Sequence, residues 1–295
     1  MLHTVYFRPG KFSSDVHKVT YCLAVAYVTR RTLRIKPLWW LAGCARRKTG
    51  DYVTWQHLLS GDVWRRRASY AGVLELSRGG FDILVNADEE HPSTLPDFFT
   101  NVIQPSFTER IREFHEEPEV WLVGQMADFI LKPLKSKLSM NPRYGLKSHH
   151  VDLNKAREEM AFRHPIVGLY LHRTDNTSQS LASLMKHVIS LGQEGQSFKT
   201  RVFVVTLDPD LFKMLQEIFP EYTFLQRKRS DKKDFLTQEL YLDVYFLSRC
   251  DYLVCSFKWH MCRLAYELMQ TARSDFSGRA LELSQNWFFG GFRRP

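Results

Sequence analysis

At 295 residues, 44% hydrophobic and 25% charged, the chain is about two domains long and too apolar for a disordered segment. Its formal charge of +9 suits phosphates, acidic glycans or nucleic acid and selects none of them. The five cysteines, Cys22, Cys44, Cys250, Cys255 and Cys262, are an odd and scattered set, which excludes a small disulfide scaffold and a zinc site built on paired CxxC.

Residues 1–35 read as a polar loop, "RPGKFSSD", then an apolar helix beginning near Val16 with Ser14 or Asp15 as its cap, then "RTLRI" as a strand. The apolar run "YCLAVAYV" falls far short of the ~18 residues of a membrane span. The charged leader before it makes a poor signal peptide. A soluble chain without a membrane span or targeting segment is expected. Residues 36–100 are aromatic and basic, with "PLWWLAG", "VTWQHLL" and "DVWRRRASY" interrupting short strands. Three arginines beside aromatics can bind nucleic acid. The basic residues of the whole chain are scattered rather than striped, however, so a solvated face is the better reading and no nucleic-acid partner is expected. Two helices follow, "LPDFFTNVIQPSFTERIREF" and "PEVWLVGQMADFIL", the second starting at Pro118. The stretch "KPLKSKLSMNPRYGLKSHH" is polar, basic and broken by Pro and Gly. It reads as a linker between an N-terminal α/β domain, 1–150, and a Rossmann-like domain, 151–295.

From residue 164 the pattern becomes regular. Strands "IVGLYL", "RVFVVT", "YTFL" and "YLVCSF" alternate with helices, the first of which puts Leu181, Leu184, Met185, Val188 and Leu191 on one face. Apolar strands between amphipathic helices predict a parallel sheet covered on both sides. In such sheets ligands bind at the carboxyl ends of the strands.

Three strand ends carry polar groups: His172-Arg173-Thr174-Asp175, Thr206 to Asp210, and Ser256 to His260. Asp243 falls on the apolar stripe of the helix "FLTQELYLDVYFLS", so it either pairs with a cation such as Arg173 or Lys258 or turns to the wet edge of the stripe. Asp208-Pro-Asp210 resembles the metal-binding DxD of many sugar-nucleotide transferases, but just before a helix an aspartate is first of all a cap. No metal site is expected. Cys255 and Cys262 are close enough to pair if the strand turns straight into a helix, or they are two buried thiols.

Taken together, several segments resemble the α1,6-fucosyltransferase family that core-fucosylates N-glycans. "HPIVGLYLHRTD" is similar to that family's strand ending in two arginines and Thr-Asp. "RVFVVTLDPDLFKMLQEIFPEYTFL", "LDVYFLSRCDYLVCSFKWHMCRLAYELMQT" and "NWFFGG" follow in family order, and "HKVTYCLAVAYVTRRTL" and "EEPEVWLVGQMADFILKP" fit upstream. The resemblance implies a GT-B-like α/β fold with a Rossmann-like parallel sheet in its C-terminal half. It also implies an inverting, metal-independent transfer of fucose from GDP-fucose to the 6-hydroxyl of the innermost GlcNAc.

Carried over position by position, the resemblance makes Arg173, Asp175 and Asp208 catalytic, and His172, Arg173, Asp243 and Ser256 nucleotide-sugar contacts. No cofactor is expected beyond the donor. The implied partners are the nucleotide sugar and an N-glycan acceptor, with an oligomer with a related enzyme as a further one. The implied location is the Golgi lumen. Cys255 and Cys262 match a family disulfide pair.

The departures from the family pattern are equally specific. His172 stands for the first arginine of the pair, Asn176 for a lysine, Leu207 for the first acid of the second motif and Trp259 for a ligand-contacting serine. The catalytic glutamate falls on Ser180 when aligned without gaps, or its loop is deleted when aligned on "LMKHV"; either way the first carboxylate after Asp175 is Glu194. The glycine- and cysteine-rich loop of the family is represented only by "RPGKFSSD". The anchor, the coiled-coil stem and the SH3-like domain are not matched, so the chain looks like a divergent, shorter member. It reads either as a working fucosyltransferase or as a catalytically impaired homologue that binds GDP-sugar, glycan or an active partner.

Overall fold

The structure is a computed structural model that describes residues 105–139, 153–172, 178–193, 201–228, 236–272 and 280–282. Phe12, Ser13, Ser14, Val16, His17, Thr20, Leu23 and Trp287 are described besides. The chain divides into two compact units: Met1–Lys137 with Ser230–Tyr241 and Phe288–Pro295, and Leu138–Arg229 with Leu242–Trp287.

In the first unit the described elements are helices. Helix α1 spans Pro105–Arg112 and α2 spans Pro118–Ser139. Pro118 begins α2, where its missing N–H costs nothing, and Glu119 places negative charge in the first turn. Val120, Val123, Ala127, Ile130 and Leu131 recur at helical spacing and are buried. The helix runs on through Pro133 to Ser139, so the polar stretch read as a linker begins as helix. Phe12, Ser13 and Ser14 are already helical, so the first helix starts earlier than Val16 and Ser14 lies within it rather than capping it. Burial of Phe12, whose ring meets Tyr241 edge-on at 6.5 Å, accounts for the earlier start. The expected strand "RTLRI" and the aromatic, basic region 36–100 lie outside the described residues.

The second unit is an α/β layer structure. After α3, Leu153–Glu159, come β1, Val167–Leu171; α4, Ser178–Gln193; β2, Arg201–Thr206; α5, Pro209–Ile218; and β3, Thr223–Leu225. Helix α6 is Leu236–Leu247, of which the part from Leu242 belongs to this unit; β4 is Tyr252–Cys255, α7 is His260–Ala272 and β5 is Ala280–Glu282. The five strands lie in the order β3-β2-β1-β4-β5, and every pairing is parallel. Strand β5 was not legible in the sequence, because three residues ending in Glu282 carry no run of apolar side chains.

One face of the sheet packs Val167, Leu169, Val202, Val204 and Val254 against Leu181, Leu184, Met185 and Val188 of α4 and Leu211 and Leu215 of α5. The other face carries Phe203, which meets Phe162 and Phe246 at ring separations of 5.6 and 5.9 Å. With both faces covered, alternation disappears and the strands become continuously apolar. Gly168 has no room for a side chain: a Cβ there would stand 3.1 Å from both Cys250 Sγ and Leu247 Cδ2. Helix α7 is buried all round from Met261 to Gln270, including Arg263 and Glu267.

Candidate functional site

The strand order reverses between β1, whose next neighbour in sequence is β2 on one side, and β4, which lies on the other. At such a switch point the connections leave in opposite directions and open a crevice at the carboxyl ends of the strands. His172 follows β1 directly, and Ser256, Phe257, Lys258 and Trp259 join β4 to α7.

The crevice edge is closely packed. The His172 imidazole lies on the Trp259 indole with ring centroids 3.5 Å apart and planes 18° from parallel. Lys258 Nζ sits 5.1 Å from the same indole, a cation–π arrangement that holds its charge at the edge. The backbone N–H of Trp259 donates to the Ser256 carbonyl at 3.0 Å, and the Trp259 carbonyl accepts from the N–H groups of Cys262 and Arg263. Trp259 therefore opens the first turn of α7, whose N-terminus points toward the crevice with its partial positive charge.

Within α7, Arg263 is fully buried and donates to His260 Nδ1 at 2.8 Å. A guanidinium can only donate, so Nδ1 of His260 is the acceptor. Burial lowers the Arg263 pKa from the usual guanidinium range to about 10, with the nearby Glu267 carboxylate opposing the shift. Glu267 in turn accepts from Trp287 Nε1 at 3.1 Å.

The other residues singled out from the sequence are distributed along the same edge. Asp208 follows β2 and caps α5: its carboxylate accepts from the Asp210 N–H at 3.1 Å, and its own N–H donates to Thr206 Oγ1. The capping role expected of Asp208 is thus the one its geometry shows. Asp243 is 2% exposed, and its neighbours Tyr241, Leu242 and Val244 are buried too, so its burial follows from the enclosure of α6 rather than from one apolar stripe. Arg227 Nε and one terminal nitrogen donate to Asp243 Oδ1, at 3.3 and 3.2 Å. The sequence pointed to Arg173 or Lys258 for this role. The pairing instead comes from the segment just beyond β3, in the run "LQRKRS", where a cation was visible but nothing local linked it to Asp243.

Ser256 stands at the end of β4, half-buried. Arg173 and Asp175, the two positions expected to carry most of the chemistry, lie outside the described residues, as do Asn176 and Glu194. His172, Trp259, Lys258 and Ser256 share the switch-point end; Asp208 and the Arg227–Asp243 pair flank it along β2 and β3. Among the described residues no group of three or more His, Cys, Asp or Glu is placed to hold a metal. No described helix is long and apolar enough to cross a membrane.

Cys255 and Cys262 are both buried free thiols, not the disulfide that the family resemblance implied. In apolar packing a thiol behaves as a small hydrophobe, which suits both positions. Cys250, also free, has its pKa raised well above 9 by burial, reinforced by the adjacent Asp251 carboxylate.

Residues 10–284 match a family model described as alpha-(1,6)-fucosyltransferase N- and catalytic domains. An alpha-(1,6)-fucosyltransferase of Drosophila melanogaster is 24% identical over 298 residues, covering 95% of this chain and 45% of that protein. One from Caenorhabditis elegans is 23% identical over 318 residues, covering 95% of this chain and 51% of the relative. The chain thus spans about half the length of these curated relatives. Among solved structures it is similar to fucosyltransferase NodZ from Bradyrhizobium, with a TM-score of 0.47 at 14% identity over 88% of this chain and 90% of that one. For a NodZ alpha-1,6-fucosyltransferase soaked with GDP-fucose the TM-score is 0.44 at 15% identity, over 90% and 91% of the two chains. Likeness at that level transfers no residue roles.

Proposed function

This chain belongs to the alpha-(1,6)-fucosyltransferase family, and from that membership we propose that it takes GDP-fucose at the carboxyl edge of the parallel sheet. It then passes fucose, with inversion and without a metal, to the 6-hydroxyl of the core GlcNAc of an N-glycan. The observation that carries the reading is the family match across residues 10–284, which reaches into both compact units, as a GT-B-like enzyme with its donor in one half requires.

The chemistry asks for fixed cations where the β-phosphate gathers charge as fucose departs. Lys258 on its indole, the N-terminus of α7 and Arg173 are the groups of this chain suited to that task. Arg227 is engaged by Asp243 and positions α6 against the β3 end of the edge. The implied setting is the Golgi lumen, with an N-glycoprotein as acceptor and a related enzyme as an oligomeric partner.

A second reading, a homologue that binds nucleotide sugar or glycan without turnover, is favoured by one specific observation. His172 and Trp259 stand where the family resemblance has an arginine and a ligand-contacting serine, and their rings lie against each other at 3.5 Å. An imidazole covered by an indole offers only its edge, which cannot reproduce a bidentate guanidinium. Loss of a general base alone costs about 10²–10⁴-fold in rate.

The test is transfer of radiolabelled fucose from GDP-fucose to a GlcNAc-terminated glycopeptide, together with calorimetric titration of GDP into the chain and its Arg173→Ala variant. Product formation supports the first reading. GDP binding that depends on Arg173 without product supports the second. No GDP binding ends the first reading and narrows the second to a scaffold for glycan or a partner.

A further inference from the structure

The second unit also has a cleft at the opposite, amino-terminal edge of its sheet, unused by the function proposed above. Residues of α3 and the segment entering β1 form one wall, and the turn from α6 into β4 forms the other. The cleft encloses about 240 Å³, room for a tetrahedral anion and several waters at about 30 Å³ each. Phe162, Tyr245 and Phe246 line it together with Arg157, Arg249 and His164.

Both guanidiniums are prepared to face a ligand. Arg249 lies over the Tyr245 ring at 5.2 Å, and its Nε is buried without a hydrogen-bond partner among the described residues. Arg157 lies over Phe162 at 5.7 Å, and one of its terminal nitrogens is 3.3 Å from His164 Nε2. A guanidinium held against a ring by cation–π attraction still has N–H donors to offer an anion.

The carboxylate closest to this arrangement is already engaged: Asp251 Oδ2 accepts from the Ile166 N–H and from His164 Nδ1, each at 2.8 Å. With its proton on Nδ1, His164 presents the Nε2 lone pair to Arg157 and so fixes that guanidinium at the rim. No acidic side chain lines the cleft among the described residues. The cleft thus gathers two guanidiniums with no carboxylate in its lining, a composition that an oxyanion complements with charge-assisted hydrogen bonds.

We propose that this amino-terminal cleft is a binding site for a small oxyanion, held between Arg157 and Arg249. Its occupancy is independent of the nucleotide edge. Inorganic phosphate is the probe, titrated calorimetrically at constant ionic strength into the whole chain and into Arg157→Met, Arg249→Met and Lys258→Met variants.

Each guanidinium supplies charge-assisted hydrogen bonds, so either cleft variant is expected to weaken binding about tenfold or more. Lys258→Met keeps the binding event that the two arginines share, and any separate event it removes is phosphate at the nucleotide edge. Arg157 is exposed on a short helix, so its replacement does not endanger the fold and decides the question even if Arg249→Met misfolds. Absence of saturable phosphate binding, wild-type affinity in Arg157→Met, or loss only in Lys258→Met would each overturn the proposal.

Discussion

Breaking the Arg227–Asp243 pair tests how the carboxyl edge is held together. The two side chains are 7% and 2% exposed, so little solvent screens the charge that remains when one partner is removed. Asp243→Leu removes the carboxylate to which the buried guanidinium donates, and Arg227→Met removes that guanidinium from the buried carboxylate. Each single replacement is expected to cost about 3–5 kcal/mol. For a unit of this size that corresponds to a fall in melting temperature of roughly 10 °C, at about 2–4 °C per kcal/mol. The double variant removes both charges together and is expected to return close to wild type, because the desolvation cost of both ions disappears with their attraction. Urea and thermal unfolding of the four proteins, followed by circular dichroism, complete a double-mutant cycle. A cost below about 1 kcal/mol for either single variant, or a double variant no more stable than the singles, would refute the reasoning.

Gly168→Ala places a methyl group against Cys250 Sγ and Leu247 Cδ2 in a buried layer, so it should lower stability by about 1–3 kcal/mol in urea unfolding. Adding Cys250→Ala to that variant should recover part of the loss. Asp208→Ala removes the oxygen that accepts from the Asp210 N–H and is expected to cost about 1 kcal/mol, while Asp208→Asn keeps most of the cap. A much larger loss in the asparagine variant would mean that the charge, not the cap, matters there.

The Cys250 thiol has its pKa raised in the folded chain, so its contribution to stability is full below about pH 9 and falls as the pH rises and the unfolded chain ionises first. A Cys250→Ala variant should show a weaker loss of stability above that pH. In the folded chain at pH 8, Cys250, Cys255 and Cys262 should resist a thiol reagent and react fully only after denaturation. Rapid labelling of any of the three would contradict their burial.

The sequence by itself determined the alternating strands and helices of the second unit, because continuous apolar runs and helical stripes are local consequences of covering both faces of a sheet. Asp208 as a cap was legible for a similar reason, since it depends only on its place at the start of one helix, whereas Asp243 was left between a buried pair and a wet edge. The family resemblance rested on residues in order along the chain and needed no folding to see.

Only the tertiary structure decided which distant groups meet. Arg227 reaches Asp243 from beyond β3, and His172 stacks on Trp259 because β1 and β4 are neighbours at the switch point. Ile166 and His164 meet Asp251 across the opposite edge for the same topological reason. Sheet order brings together residues more than eighty positions apart, and no periodicity within a segment encodes which strand will lie beside it. Strand β5 and the burial of α7 on every side were hidden likewise: a three-residue strand is specified by the edge it pairs with, and nothing local marks Arg263 and Glu267 as enclosed.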